Sequence, residues 1–276
     1  MARGNPKKSD PGEMIRQFVV DKVNETVTKQ AQKHADKIDS LVPVLDLWLR
    51  EKPGARKPRF SLDDIAAAAV HIADAEGIDA LSMRRLAHEV GAGGPMTLYH
   101  YIRTRDELLS LVTDAVMAEM ILPPSKLRGD WRACVTALAH ASRATLERHP
   151  WIFDIVDDPA VGPNGVRHFD QSLEALKSMP GTLADKLDVI SAIDEYVFGY
   201  VIHARNDFGD DEFDEPMRDY VAELAETGDY PNIWALMQEY GIKRLWDTVS
   251  SHGRDPRRFD RNLTRLLDGI ERSLRR

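Results

Sequence analysis

The feature that most constrains this chain is the stretch SLDDIAAAAVHIADAEGIDALSMRRLAHEVGAGGPMTLYHYIRTRDELL at residues 61–109, where helix start and stop signals follow one another closely. Ser61 with Asp64 reads as a capping box. Leu62, Ile65, Ala69, Ile72 and Ala73 then recur at helical spacing until Gly77 stops the run. Ser82 caps a second helix with Leu86, Ala87 and Val90 inward, and Gly91 ends it. After the Gly93-Gly94 turn, Pro95 opens a third helix with Leu98 and Ile102 inward. Thr104 with Glu107 caps a longer fourth helix, which runs to Ile121 before Pro123-Pro124. Helices this short are marginal alone, so they must be held by one another.

Two short helices joined by a glycine turn and braced by a third make a helix-turn-helix. In that arrangement Gly94, Met96, Thr97, Tyr99 and His100 face outward, and the start of the second helix of the pair meets base edges in DNA. The alternative is that Tyr99 and His100 only pack against the preceding helix.

The stretch closely resembles the tetracycline-repressor (TetR) family of transcriptional regulators. The resemblance lies in Ile65…Ala69…Ala73…Gly77, Ser82-Met83-Arg84-Arg85-Leu86-Ala87, Thr97-Leu98-Tyr99 and Arg105-Asp106-Glu107-Leu108-Leu109. It implies phosphate contacts from Tyr99, Arg105, Ser61 and Thr104, and base contacts from Thr97 and the residues before it. The chain departs from the family's pattern between Gly91 and Tyr99, where it is one residue longer and carries Gly93-Gly94-Pro95.

The formal net charge of −8 is unevenly spread. Residues 1–60 hold 13 basic and 8 acidic groups, whereas 61–110 hold 4 and 8, with Arg84, Arg85, Arg103 and Arg105 expected around the recognition helix. Local placement decides attraction to phosphate. Residues 1–12 read as disordered, and from Met14 an amphipathic pattern through Ile15, Val19, Val23 and Val27 leads towards Leu45. The proline-rich linker after it carries Arg56, Lys57 and Arg59, which could lie along phosphates or simply be solvated.

Beyond residue 121 the chain reads as helix throughout, over 130–148, 151–156, 164–178, 182–206, 216–227, 231–249 and 256–274. Helix 182–206 looks apolar around most of its circumference, which suits one face on the core and another on a second subunit. The expected fold is therefore all-α. An extension at 1–60 precedes a three-helix helix-turn-helix DNA-binding domain at 61–109. A larger helical ligand-binding and dimerisation domain, 110–276, follows.

Arg148-His149-Pro150-Trp151 and Gly162-Pro163-Asn164-Gly165 resemble the C-terminal domain of the tetracycline-repressor branch. That implies an interior pocket for a largely apolar or aromatic effector. Candidate linings are Trp151, Phe153, Phe169, Leu173, Tyr196, Phe198, His203, Trp234 and Met237. Aromatic residues at helical spacing serve a core as readily as a ligand.

Other classes fit less well. There is no phosphate loop after a strand, no nucleophile elbow and no zinc-protease pattern, so an enzyme is not expected. The nine histidines form no compact ligand spacing, and neither metal nor cofactor is expected. With no apolar run long enough for a bilayer and one cysteine, Cys134, the chain suits a reducing cytoplasm. The reading is a homodimeric, effector-responsive regulator that binds a palindromic operator, repression being what the resemblance implies. A helical interaction protein is the main alternative and a small-molecule enzyme the weaker one. Ligand, operator sequence, target genes and the sign of regulation are not written in the sequence.

Overall fold

The computed structural model describes residues 45–49, 60–155, 162–205 and 211–275. Expectations for 1–44 and 50–59, including the amphipathic segment before Leu45 and the basic residues Arg56, Lys57 and Arg59, lie outside the described residues.

Helix α1 (Leu62–Glu76) starts as its capping box dictates: Ser61 Oγ accepts from Asp64 N at 3.0 Å, and Asp64 Oδ2 accepts from Ser61 N at 2.8 Å. It buries Ile65, Ala66, Ala69, Ile72 and Ala73. A short 3-10 turn, Ile78–Ala80, leads to α2 (Met83–Glu89), capped by Ser82 Oγ. The end of α2 is a Schellman motif. Gly91 N donates to His88 O, Ala92 N donates to Ala87 O, and Gly91 takes φ 68°, a left-handed value that favours glycine. Then come α3 (Pro95–Leu98) and α4 (Arg105–Glu119), the latter capped by Thr104 Oγ1. Leu81, Leu86, Leu98, Ile102, Leu108 and Val112 close the core of this head. The helical residues 45–49 add Leu47 to that core, and Asp46 pairs with Arg103 at 3.0 Å.

The rest is helical too, with no strand among the described residues: α5 (Trp131–Arg148), α6 (Pro163–Ala175), α7 (Leu183–Arg205), α8 (Asp211–Glu226), α9 (Pro231–Tyr240), α10 (Ile242–Arg254) and α11 (Arg258–Leu274). The expected helix 231–249 is instead two helices, because Gly241 adopts φ 76° and ends α9. The helix expected to begin at Pro216 begins at Asp211 and includes that proline. Pro216 is exposed, so solvent can serve the carbonyl left without its N–H partner.

Helix α4 packs on α1 at one end and on α6 at the other, while α5 and α11 both pack on α7. Helices α8, α9 and α10 pack chiefly on each other. Only Val189, Ile193, Val197 and Val201 of α7 are fully buried, and its exposed side mixes Leu187 and Ile202 with Asp188, Ser191 and Glu195. The all-round apolar reading of this helix was therefore too generous. Half its circumference alternates polar and apolar residues.

Two polar devices tie the head to the larger domain. His149 is buried with Nδ1 2.7 Å from Asp74 Oδ1 of α1 and Nε2 3.2 Å from Glu119 Oε2 of α4. Trp151 Nε1 donates to the same Asp74 oxygen at 2.7 Å. Further along α4, Asp114 caps α6. Its Oδ1 accepts from Asn164 N at 2.8 Å and Gly165 N at 3.1 Å, and its Oδ2 accepts from Asn164 Nδ2 at 2.9 Å.

Gly162 is glycine because of that cap: a Cβ there would lie 2.3 Å from Asp114 Oδ1. Gly162→Ala should therefore cost about 2 kcal/mol of stability by displacing a charged acceptor from its donors. In an Asp114→Gly background, which also removes the Asp114 Cβ that would lie 2.8 Å away, the same change should cost far less. Urea denaturation of the four proteins checks this, and equal costs in both backgrounds would show the two positions to be uncoupled.

Candidate DNA-reading face and interior cavity

Because α3 is short and Leu98 and Ile102 are fully buried, the remaining residues of that turn must face out. Met96 is 74% exposed and Tyr99 44%, His100 is exposed, and Thr97 and Gly94 are half-buried. Ser61 and Thr104, both exposed, sit at the N-termini of α1 and α4 as caps. The structure thus brings Gly94, Met96, Thr97, Tyr99 and His100 together on one turn. Their neighbours Thr104 and Arg105 begin the next helix.

The arginines behave differently from one another. Arg105 is exposed, and its Nη1 donates to Leu81 O at 3.2 Å, fixing the guanidinium beside the start of α2. Arg85 is turned away from this role. It pairs with Glu76 at 2.6 Å and with Glu89 at 2.7 Å, a fork that stitches α2 to α1. Arg103 pairs with Asp46. Of the four arginines expected around the recognition helix, Arg85 and Arg103 are paired with carboxylates, while Arg84 and Arg105 are exposed.

Inside the larger domain lies a cavity of about 400 Å³. Its walls are Thr113, Asp114, Val116, Met117 and Met120 from α4, and Leu146 and Ile152 from α5 and the turn after it. Helix α6 adds Gly165, Val166, His168, Phe169 and Ser172, with Gly162 just before it, and α7 adds Ile190, Asp194 and Phe198. Phe169 and Phe198 are partly exposed, which places them towards solvent. This volume and apolar lining suit a drug-sized molecule.

Of the residues read from sequence as lining, Phe169 and Phe198 face the cavity and the others do not. Trp151 is buried in the joint with Asp74. Phe153 stands behind the wall, edge-on to Phe198 with ring centroids 5.8 Å apart. Tyr196 points into the α7–α11 seam, where its Oη donates to Phe259 O at 2.8 Å and burial raises its pKa to about 12. Leu173 is half-buried on another side of α6, and His203 is exposed near the end of α7. Trp234 and Met237 belong to α9, away from this wall.

Sequence reading did not single out Met117 of α4 or Met120 at its C-terminal cap. It also missed His168, Ser172, Ile190 and Asp194. The spacing Ile190–Asp194–Phe198 was the available signal, since residues four apart share a helix face.

The polar groups of the wall are strongly affected by burial. Asp194 is pushed up to about 6 by desolvation, and His168 is pushed down by it. Burial also raises Asp114, outweighing the donors from Asn164 and Gly165.

An all-helical chain with a helix-turn-helix head joined to a hollow helical domain defines a class, the one-component transcriptional regulator. Residues 123–274 match the family model described as the tetracyclin repressor-like, C-terminal domain. Over 224 residues, 78% of each chain, the sequence is 33% identical to the HTH-type transcriptional repressor DrrR1 of Streptomyces coeruleorubidus. The crystal structure of apo ActR from Streptomyces coelicolor aligns with a TM-score of 0.63 at 28% identity, covering 80% of this chain and 98% of that one. ActR in complex with actinorhodin aligns with a TM-score of 0.62 at 28% identity, covering 78% and 96%. The chain belongs to the TetR family of helix-turn-helix transcriptional regulators. Among the described residues no helix is long and apolar enough to cross a membrane, and no group of acidic, histidine and cysteine side chains is arranged to hold a metal.

Asp194 gives a testable pH dependence. Its folded-state value of about 6 lies above the ordinary 3.8, so the folded protein holds this proton more tightly than the unfolded chain. The resulting stability is fully present below about 3.8 and is lost as pH rises through about 6. Asp194→Asn should remove that component. Thermal melts from acid to neutral pH should show the variant gaining on the parent as pH rises, and parallel curves would contradict the assignment.

Proposed function

We propose that this regulator is a two-fold dimer that represses from a palindromic operator and is released when a small molecule fills the α4–α6–α7 cavity. The reading rests above all on α4, whose N-terminal end carries the exposed turn with Tyr99 and whose C-terminal half walls the cavity. Tyr99, Thr104, Ser61 and Arg105 are assigned to phosphates; Thr97, Met96, Gly94 and His100 are assigned to base edges. Arg56, Lys57 and Arg59 are proposed as an arm along the backbone. ActR, crystallised with actinorhodin, supports an effector role for the cavity.

Two reading heads on one face of a duplex must stand about 34–36 Å apart, or a multiple of it. An effector that tilts α4 alters that separation. For release, it must bind the non-DNA conformer more tightly, and a coupling of roughly 1–3 kcal/mol would weaken operator binding by about 5–150-fold.

Dimerisation is assigned to the exposed side of α7, which carries Leu187 and Ile202, together with α11. Val197, on the inner side of α7, is 1% exposed within the single chain and belongs to its own core. A charge there would unfold the subunit rather than separate subunits.

Titration of the chain's own upstream DNA by fluorescence anisotropy, at several salt concentrations, tests this reading. Tyr99→Phe should weaken binding by about 1 kcal/mol or more without changing sequence preference, because a hydrogen bond to a charged phosphate is lost. Ile202→Glu should sediment as a folded monomer and lose operator affinity, since a single head contacts one half-site. A wild type with no salt-dependent DNA binding would favour the helical-scaffold reading instead.

A further inference from the structure

Two carboxylates reach the cavity wall, and only one has a structural task. Asp114 holds the first turn of α6 through three donors. Asp194, midway along α7, makes no hydrogen bond or ion pair with any described residue, and desolvation is what perturbs it. Beside it in the lining is His168, which is 9% exposed, and its Nδ1 is enclosed without a partner. A second, very small void adjoins the cavity at these residues and is walled by His168, Ser172, Ile190 and Asp194 as well.

For packing alone, an aliphatic residue would serve better at position 194, since a half-buried, desolvated carboxylate without a partner is costly. The lining contains no Lys or Arg to offset it. His168 is pushed towards its neutral form and so presents no opposing charge. Phe198 stands one helical turn from Asp194 on the same face, and aromatic faces attract cations. Everything around Asp194 is apolar, neutral or negative. An anionic molecule would meet an unpaired carboxylate there, a neutral one could offer it at most a hydrogen-bond donor, and an ammonium offers both a donor and the opposite charge.

Taking the cavity as the effector site, we propose that the effector is a cationic amphiphile, an apolar ring or chain framework bearing one basic nitrogen that pairs with Asp194. Met117, Met120, Val116 and Ile190 take the framework, and the ammonium offsets the solvation that Asp194 loses on its half-buried site. Pairing a buried acid with a cation also favours its ionised form, so the amine's affinity falls as pH drops through the titration of Asp194.

Three fluorescent probes with one ring system test this on the full-length protein: 9-anthracenemethylamine, 9-anthracenemethanol and 9-anthracenecarboxylate. At about pH 7.5 the amine should bind roughly tenfold or more tighter than the alcohol, and the carboxylate more weakly than either, as expected for a charge-assisted contact. Asp194→Asn should bring the amine close to the alcohol while changing the alcohol's own affinity far less than the amine's, because the asparagine carbonyl can still accept its hydroxyl, and retained alcohol binding reports that the variant is folded. Met117→Trp, which fills the cavity, should weaken all three probes. Equal binding of amine and alcohol to the parent, a preference for the carboxylate, or an amine advantage that survives Asp194→Asn would overturn the proposal and leave the cavity reading standing. No binding by any probe, or affinities unmoved by Met117→Trp, would overturn the cavity reading and the proposal with it.

Discussion

The packing of α4 against two different partners is the constraint on which the rest of this molecule depends. Leu108, Leu111 and Val112 of its first turns are buried in the core shared with α1, while Thr113, Val116, Met117 and Met120 look into the cavity. Asp114, between these two sets, holds α6 by its first turn. In the proposed mechanism, a change in cavity volume that moves α4 or α6 is passed to the reading head through this one element. The joint at His149 reinforces this, since its ring bridges Asp74 on α1 and Glu119 on the last turn of α4. Protein interiors are close-packed and transmit small displacements instead of absorbing them.

The cavity itself shows a division of labour between two acids of its wall, Asp114 buried and Asp194 half-buried. Asp114 is raised by burial yet has donors that favour its charge, so it serves as architecture. Asp194 has burial without donors, and its carboxyl is the one polar feature of the α7 wall. The head shows the same sorting among its cations. Arg85 spends its guanidinium on Glu76 and Glu89, and Arg103 on Asp46, whereas Arg105 is oriented by a backbone carbonyl while staying exposed. Net charge therefore says little about which cations are available to phosphate.

What sequence reading recovered and what it lost follow from how local each signal is. Capping residues act within one turn, so Ser61, Ser82, Thr104 and Thr182 marked helix starts that the structure reproduces to within a residue. The apolar period likewise placed Leu98 and Ile102 in the core and left Tyr99 and His100 outside. The joint between Asp74 and His149 spans 75 residues, and no local pattern announces it. The cavity wall was misread for a related reason. Bulky aromatics drew attention, yet Trp151 and Tyr196 are held by Asp74 and the Phe259 carbonyl, while Met117, Met120 and Ile190 carry no local signal that sets them apart from core. Gly241 was treated as tolerable within a helix, although its left-handed backbone ends one.

The central claim is that the DNA-reading face and the cavity share a mechanical element, and hydrogen exchange tests it without knowledge of the effector. Exchange would be measured on the protein alone and saturated with a DNA fragment selected for tight binding. The account predicts that DNA alters protection at the reading head and also along α4 from Thr113 to Glu119 and in α6, far from any phosphate. Changes confined to residues 61–105, with the cavity walls exchanging as in the free protein, would contradict it.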